Sequence, residues 1–199
     1  LDRLLVDSAG ATYGPPYDVA WTWSAQQGDP PGYTVLADEA QGTMQLSVGT
    51  RDDRSAVSAR AALGNWLSGT DSVVNIYAAP AIEWSWNVMV YDNWGESAGW
   101  LGFVVQSFDR KTGNDIDTVL SQQIPIWDRQ LSASGPFGMD AAFDQGSTTG
   151  YPLSARFFGA AGRFYTIWIW FGAYAAEGDL CYANFPSIAV PYFSWTMAT

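Results

Sequence analysis

Apolar and polar residues alternate with a period of two along most of this chain, the pattern of half-buried antiparallel strands. In Tyr17–Ala25, residues Val19, Trp21, Trp23 and Ala25 share one face, against Asp18, Thr22 and Ser24 with Ala20 on the other. Thr43–Gly49 sets Met44, Leu46 and Val48 against Thr43, Gln45 and Ser47. Ser55–Leu67 carries Val57, Ala59, Ala61 and Leu63 opposite Ser58 and Arg60; its small side chains predict close packing against bulkier neighbours. Ile82–Tyr91 places Ile82, Trp84, Trp86, Val88 and Val90 against Glu83, Ser85, Asn87, Met89 and Tyr91.

Two later segments are apolar on both faces. Ala98–Phe108 has Leu101, Phe103 and Val105 on one side and Trp100, Val104 and Phe108 on the other. In Phe164–Ala176, residues Tyr165, Ile167, Ile169 and Phe171 oppose Phe164, Trp168, Trp170 and Tyr174. Such strands are covered on both sides or present one side as a contact surface.

Turn residues separate these runs. Arg110-Lys111-Thr112-Gly113-Asn114-Asp115 reads as a hairpin loop, Gly28-Asp29-Pro30-Pro31-Gly32 as a rigid turn, and Gly95–Gly99 as a turn flanked by Trp94 and Trp100. Ser132–Tyr151 is the longest loop-like stretch. Ser187–Met197 closes the chain as a strand that Pro191 confines to an edge or a bulge. Asp2–Asp7 and parts of Asp117–Leu131 carry weak helical signals. The expected fold is all-β: one domain over residues 1–199, an antiparallel two-sheet β-sandwich of jelly-roll type with about ten strands.

Three tryptophan pairs, Trp21/Trp23, Trp84/Trp86 and Trp168/Trp170, have the spacing that puts two indoles on one strand face. A buried indole removes roughly 150–250 Å² from water, about 4–6 kcal/mol as an upper bound. Trp21/Trp23 and Trp84/Trp86 oppose mostly polar faces and are expected in the core. Trp168/Trp170 differ, because Ile167, Ile169 and Phe171 can fill the core from the other side; periodicity leaves this pair open between core and surface. The six residues Trp86-Asn87-Val88-Met89-Val90-Tyr91 resemble an aromatic strand of β-sandwich pore-forming toxins. A match of that length is at chance level and assigns no family.

Composition narrows the function. The chain has 199 residues, 16% aromatic, with 20 glycines, 10 prolines and a formal net charge of −11. That charge repels nucleic-acid phosphates and anionic membranes, and no apolar run is long enough for a spanning helix. With no histidine, the Ser-His-Asp and Cys-His nucleophile systems and histidine-ligated metals are excluded. Cys181 is the sole cysteine, so an intramolecular disulfide and a thiolate cluster are excluded too. Phosphate-binding and dinucleotide-binding glycine motifs are absent, and no cofactor is expected.

Carboxylates remain as candidate chemistry. Glu83 paired with Glu177 or Asp92 would serve glycoside hydrolysis if the two groups faced each other within about 10 Å across an aromatic cleft; an outward, solvated Glu83 is the simpler expectation. Asp109, Asn114, Asp115 and Asp117 crowd one loop as hard oxygen ligands that could hold calcium, although Asx residues also favour turns for local reasons. Asp52-Asp53 between Arg51 and Arg54 reads as a charged turn.

The function expected is therefore binding rather than catalysis. A carbohydrate would lie on Trp168, Trp170, Trp94, Trp100 and Tyr91, and the domain would sit outside the cell or at its surface. A self-assembling structural subunit is the first alternative; there apolar outer faces, or Leu4-Leu5-Val6 as an added strand, pair with another copy. A carboxylate glycosidase is the second.

Overall fold

A computed structural model describes residues 10–28, 32–51, 54–69, 71–109, 111–134 and 138–198. In chain order the strands are β1 (Gly10–Tyr13), β2 (Val19–Gln27), β3 (Gly32–Asp38), β4 (Thr43–Thr50) and β5 (Ala56–Ser68). Then come β6 (Ser72–Ala78), β7 (Ala81–Tyr91), β8 (Trp94–Asp109), β9 (Asp117–Ser121) and β10 (Ile124–Ser132). The last five are β11 (Met139–Thr148), β12 (Leu153–Gly159), β13 (Arg163–Glu177), β14 (Leu180–Ala189) and β15 (Phe193–Ala198).

All pairings among the described strands are antiparallel, and they form three sheets. Sheet I runs β1-β15-β6-β12. Sheet II runs β10-β8-β13-β5-β2, with β9 added on β8. Sheet III runs β11-β7-β14-β4-β3. The all-β class therefore holds, while ten strands in two sheets are corrected to 15 strands in three.

Several local expectations change with this count. Gly95–Gly99 is no turn, because it lies inside β8 and pairs with both β13 and β10. The stretch 132–151 is not mainly loop, since β11 pairs with β7 along its whole length. Residues 117–131 form β9 and β10 rather than helix, and among the described residues there is no helix. The closing strand is two: β14 ends in sheet III, Pro191 lies in the break, and β15 enters sheet I. Asp2–Asp7, Leu4-Leu5-Val6, Asp52-Asp53 and the Asp29-Pro30-Pro31 part of the proline turn lie outside the described residues.

Prolines sit where the ladder can spare an N–H. Pro186 falls in the central strand β14, and the register shifts on both sides of it, between Phe185 and Ile188 against β4 and between Asn184 and Ser187 against β7. Pro125 occupies the corresponding shift of β10 against β8.

Sheets II and III face each other across one contiguous core. Sheet II contributes Leu63, Phe103, Ile167, Ile169 and Phe171, and sheet III contributes Leu46, Val48, Val88, Ala183 and Phe185. Phe171 meets Phe185 edge-on at 5.7 Å, and Trp127 packs on Phe185 at 4.9 Å. The Trp127 indole donates to the Ser97 hydroxyl, which donates to the Tyr182 carbonyl, so its one polar atom is satisfied inside the core. Sheet I joins the same core through Phe157 against Tyr165 and Phe193 against Tyr17.

Tyr17 ties the layers together. Its ring stacks on Phe193 at 5.8 Å, and its hydroxyl donates to the Val190 carbonyl at 2.8 Å. Burial pushes this phenol above its ordinary range, so it stays a donor at all ordinary pH. Tyr17→Phe keeps the ring but leaves the buried carbonyl short of a donor. It is expected to cost about 1–3 kcal/mol in urea unfolding with an unchanged m-value; a midpoint equal to wild type would refute the role of the bond.

Candidate functional site

Cross-strand partners in an antiparallel ladder share a face, so register alone places the aromatic residues of sheet II. With Ile167, Ile169 and Phe171 in the core, Trp168 and Trp170 point to the outer face. Trp168 lies opposite Gly64 of β5 and Val104 of β8. Trp170 lies opposite Ala62 and Gly102, and Ala62 in turn opposes Trp21 of β2. In the next row Trp23 faces Arg60, which faces Gly172, which faces Trp100. Two further aromatic contacts flank these rows on the same face, Trp100 with Tyr174 at 6.4 Å and Trp66 with Phe108 at 5.6 Å.

This corrects the expectation for Trp21 and Trp23, which are not core: they remain 45% and 41% exposed. On the inner side of edge strand β2 only Ala20 packs against the core, while Thr22 and Gln26 are exposed, so the core needs no bulk there. The pair Trp84/Trp86 does face inward from β7, Trp86 buried and Trp84 half-buried against the core. The Arg129 guanidinium lies 6.0 Å from the Trp86 ring.

Small residues between the indoles set their posture. A Cβ on Gly64 would come within 2.9 Å of the Trp168 ring, and one on Gly172 within 3.0 Å of the Trp170 ring. Trp168 therefore leans across Gly64 of the neighbouring strand and Trp170 over Gly172 of its own, both against the sheet. Trp170 is fixed further by its N–H, which donates to the Gln122 carbonyl at 3.0 Å, and only 7% of it is exposed.

The result is a groove of about 420 Å³ lined by Trp21, Trp168, Trp170, Arg60, Gln106 and neighbouring groups that include Ser121 and Gln123. That volume lies within the span of about 300–1,000 Å³ that small-molecule sites occupy. The Arg60 guanidinium rests 5.3 Å from the Trp23 ring and 5.5 Å from the Trp170 ring. Among the described residues, the side chains of Arg60, Gln106, Ser121 and Gln123 have no hydrogen-bond partner or carboxylate partner. They are polar groups not used by the fold.

The other sequence candidates are scattered. Trp94 shares the outer face but lies opposite Ser132, six residues from Trp100 and so about 20 Å along the strand. Tyr91 alternates with Val90 on β7 and belongs to the outer face of sheet III, away from the groove. Glu83 is exposed on that same face, between Ser147 and Ser187. Asp92 follows the far end of β7, nine residues from Glu83 and about 30 Å away. Glu177 precedes Leu180, which pairs with Met89, about 20 Å from Glu83. Neither pairing meets the separation of about 5–10 Å that glycoside hydrolysis needs.

The carboxylates of the β8–β9 loop serve the turn and an arginine. Asp109 accepts from the Thr112 and Lys111 amides and the Thr112 hydroxyl, which hold its carboxyl below the usual range. Asp115 forms a 2.8 Å ion pair with Arg163, and Asp117 lies 3.5 Å from it. Among the described residues no cluster of three carboxylate or thiol groups could hold a metal.

Sequence reasoning missed Arg60, Gln106, Ser121 and Gln123, because nothing in their local pattern separates a groove-lining polar residue from a solvated one. A usable signal lay in the small residues Ala62 and Gly64 of β5 and Gly102 of β8: a trough beside a strand with two apolar faces has to be filled by neighbouring bulk.

No family model matches this chain, and no curated protein does. Among solved structures it is similar to TmCBM61, determined in complex with β-1,4-galactotriose, at 8% identity and a TM-score of 0.27 over 92% of this chain and 91% of that one. It is also similar to the CBM22-1 xylan-binding domain of Paenibacillus barcinonensis Xyn10C, at 12% identity and a TM-score of 0.22 over 87% and 92%. A third is the enzymatically active domain of bacteriophage CBA120 tailspike protein 4, at 10% identity and a TM-score of 0.21, covering 95% of this chain and 19% of that one. Similarity at these TM-scores carries no argument about the ligand or the site of this chain.

Beyond Trp100 and Tyr174 the same face turns acidic. Burial raises the Glu96 carboxyl above its usual range, and the nearby Asp128 raises it further. A carboxyl whose folded value lies above its unfolded one costs stability once ionised; the cost is absent at pH below the unfolded value and grows as pH rises through the folded one. Glu96→Gln is therefore expected to raise the melting temperature at pH 7 and to change it little near pH 3.5. Equal shifts at both pH values would contradict this assignment.

Proposed function

We propose that this chain is a non-catalytic binding domain that receives a carbohydrate in the outer-face groove of sheet II. One observation carries the reading: an indole floor from Trp21, Trp168 and Trp170 is bordered by Arg60, Gln106, Ser121 and Gln123, whose polar groups the fold leaves unspent. A sugar ring offers an apolar C–H face and an equatorial rim of hydroxyls. Indoles leaning on a sheet fit the first, and unpaired amide, hydroxyl and guanidinium groups fit the second.

Preorganisation favours binding here. Trp170 is held by its bond to Gln122, and Trp168 by its contact with Gly64, so ligand binding orders little that is not already ordered. An extracellular or cell-surface location, where polysaccharides are met, goes with this reading. Self-assembly through the same indoles is the competing use of the face, and it predicts a stable oligomer in which the groove is closed.

Affinity electrophoresis against a panel of neutral and acidic polysaccharides tests the proposal. Wild type is expected to be retarded by at least one of them. Trp168→Ala should lose tenfold or more in affinity and Trp21→Ala several-fold, while Tyr91→Ala on sheet III should bind as wild type. Retardation unchanged in Trp168→Ala, or absent with every polysaccharide, would overturn it.

A further inference from the structure

We propose that the carbohydrate is a uronate-containing glycan whose carboxylate is received by Arg60. The assignment rests on the glycan reading of the groove and adds the chemical class of its ligand.

Three observations converge on Arg60. The first is its isolation: in a chain with 20 acidic residues and a net charge of −11, this guanidinium has no carboxylate partner among the described residues. The register assigns Glu96 and Asp128 to the same outer face. From Arg60, Glu96 is two strands across and four residues along, and Asp128 is three strands across and two along. Both separations come to about 16 Å at about 4.8 Å between strands and 3.4 Å per residue. That is twice the screening length of about 8 Å at physiological salt, so neither neutralises Arg60.

The second observation is posture. The guanidinium lies against both the Trp23 and Trp170 rings, at 5.3 and 5.5 Å. Contact with indole rings uses none of its N–H groups in a hydrogen bond, so those donors are still available. Those donors form the planar fork that matches a carboxylate with two parallel bonds, a match that lysine cannot make. Two indole contacts also restrain a side chain that would otherwise lose much rotamer entropy on binding.

The third is the lining. Among the described residues, the groove beside Arg60 presents indoles, alanine, valine, serine and glutamine, and no carboxylate. In a protein this acidic, a carboxylate-free recess around an unpaired cation is complementary to an anion on an otherwise apolar and hydroxylated ligand. A sugar acid has that composition: the ring stacks on Trp168 and Trp21 while its C6 carboxylate reaches Arg60. The acidic Glu96 and Asp128 lie beyond Trp100, where they repel an acidic chain and favour its extension toward Gln106 and Gln123 instead.

The test uses one polymer in two charge states, polygalacturonate and its fully methyl-esterified form, together with a neutral galactan and dextran sulfate. Wild type is expected to bind polygalacturonate at least tenfold more tightly than the ester. Arg60→Gln should abolish that preference and leave the weaker ester binding in place. Arg60→Lys, which retains charge without the fork, should recover only part of it, and near-UV circular dichroism establishes that both variants keep their aromatic packing. Trp168→Ala should weaken the acid and the ester alike. Equal binding of acid and ester, neutral galactan bound better than either, or preference for dextran sulfate over polygalacturonate would overturn the uronate assignment while Trp168-dependent binding upheld the glycan reading. Binding of none of the four would remove both.

Discussion

Strand parity in β13 governs the rest of the molecule. This strand lies between β8 and β5, and its odd residues Tyr165, Ile167, Ile169 and Phe171 are buried to 2% exposure or less. Burial of those side chains is worth about 1.5–3 kcal/mol each, and a one-residue slip would exchange them all for the other face. Trp168 and Trp170 are therefore directed outward by the same contacts that hold sheet II onto sheet III. A strand in this position needs no bulk on its outer side for stability, so indoles there call for another explanation.

The outer face answers through its neighbours. Gly64 and Gly172 let the indoles lean against the sheet, and Trp21, Trp23 and Arg60 extend the surface across β5 to the edge strand β2. Apart from Ser121 of the short β9 and Gln123 in the β9–β10 link, the groove lies on a ladder of long paired strands, which limits how far those walls can move. Rigid aromatic walls, unspent donors and a cation without a partner are the physical basis for reading this face as a glycan site with a preference for acid sugars. The acidic patch at Glu96 and Asp128 gives the face polarity along its length.

Much of the fold was legible from alternation alone, because most long strands carry one clean face. Met44, Leu46 and Val48 in β4, and Ile82, Val88 and Val90 in β7, all lie in the core as their spacing predicts. The number of sheets was not legible: short strands such as β6 and β12 mix apolar residues onto both faces, among them Val73, Tyr77 and Phe158. For Trp21 and Trp23 the pattern misled, because it assumes that the apolar face of every strand is the covered one. At the edge strand β2 that assumption fails, and the apolar face became part of the groove. The role proposed for Arg60 was not legible in the sequence, since it depends on carboxylates that are far away in space rather than on any residue near it in sequence.

The central claim is that the outer-face indoles of sheet II, and not those of the core, meet the ligand. Fluorine NMR on protein labelled uniformly with 5-fluorotryptophan reads each indole separately once single Trp→Phe variants have assigned the resonances. Titration with an oligogalacturonide is predicted to shift Trp21, Trp23, Trp168 and Trp170 and to leave Trp86, Trp127 and Trp195 in place. Shifts confined to other tryptophans, or none at saturating ligand, would contradict the account.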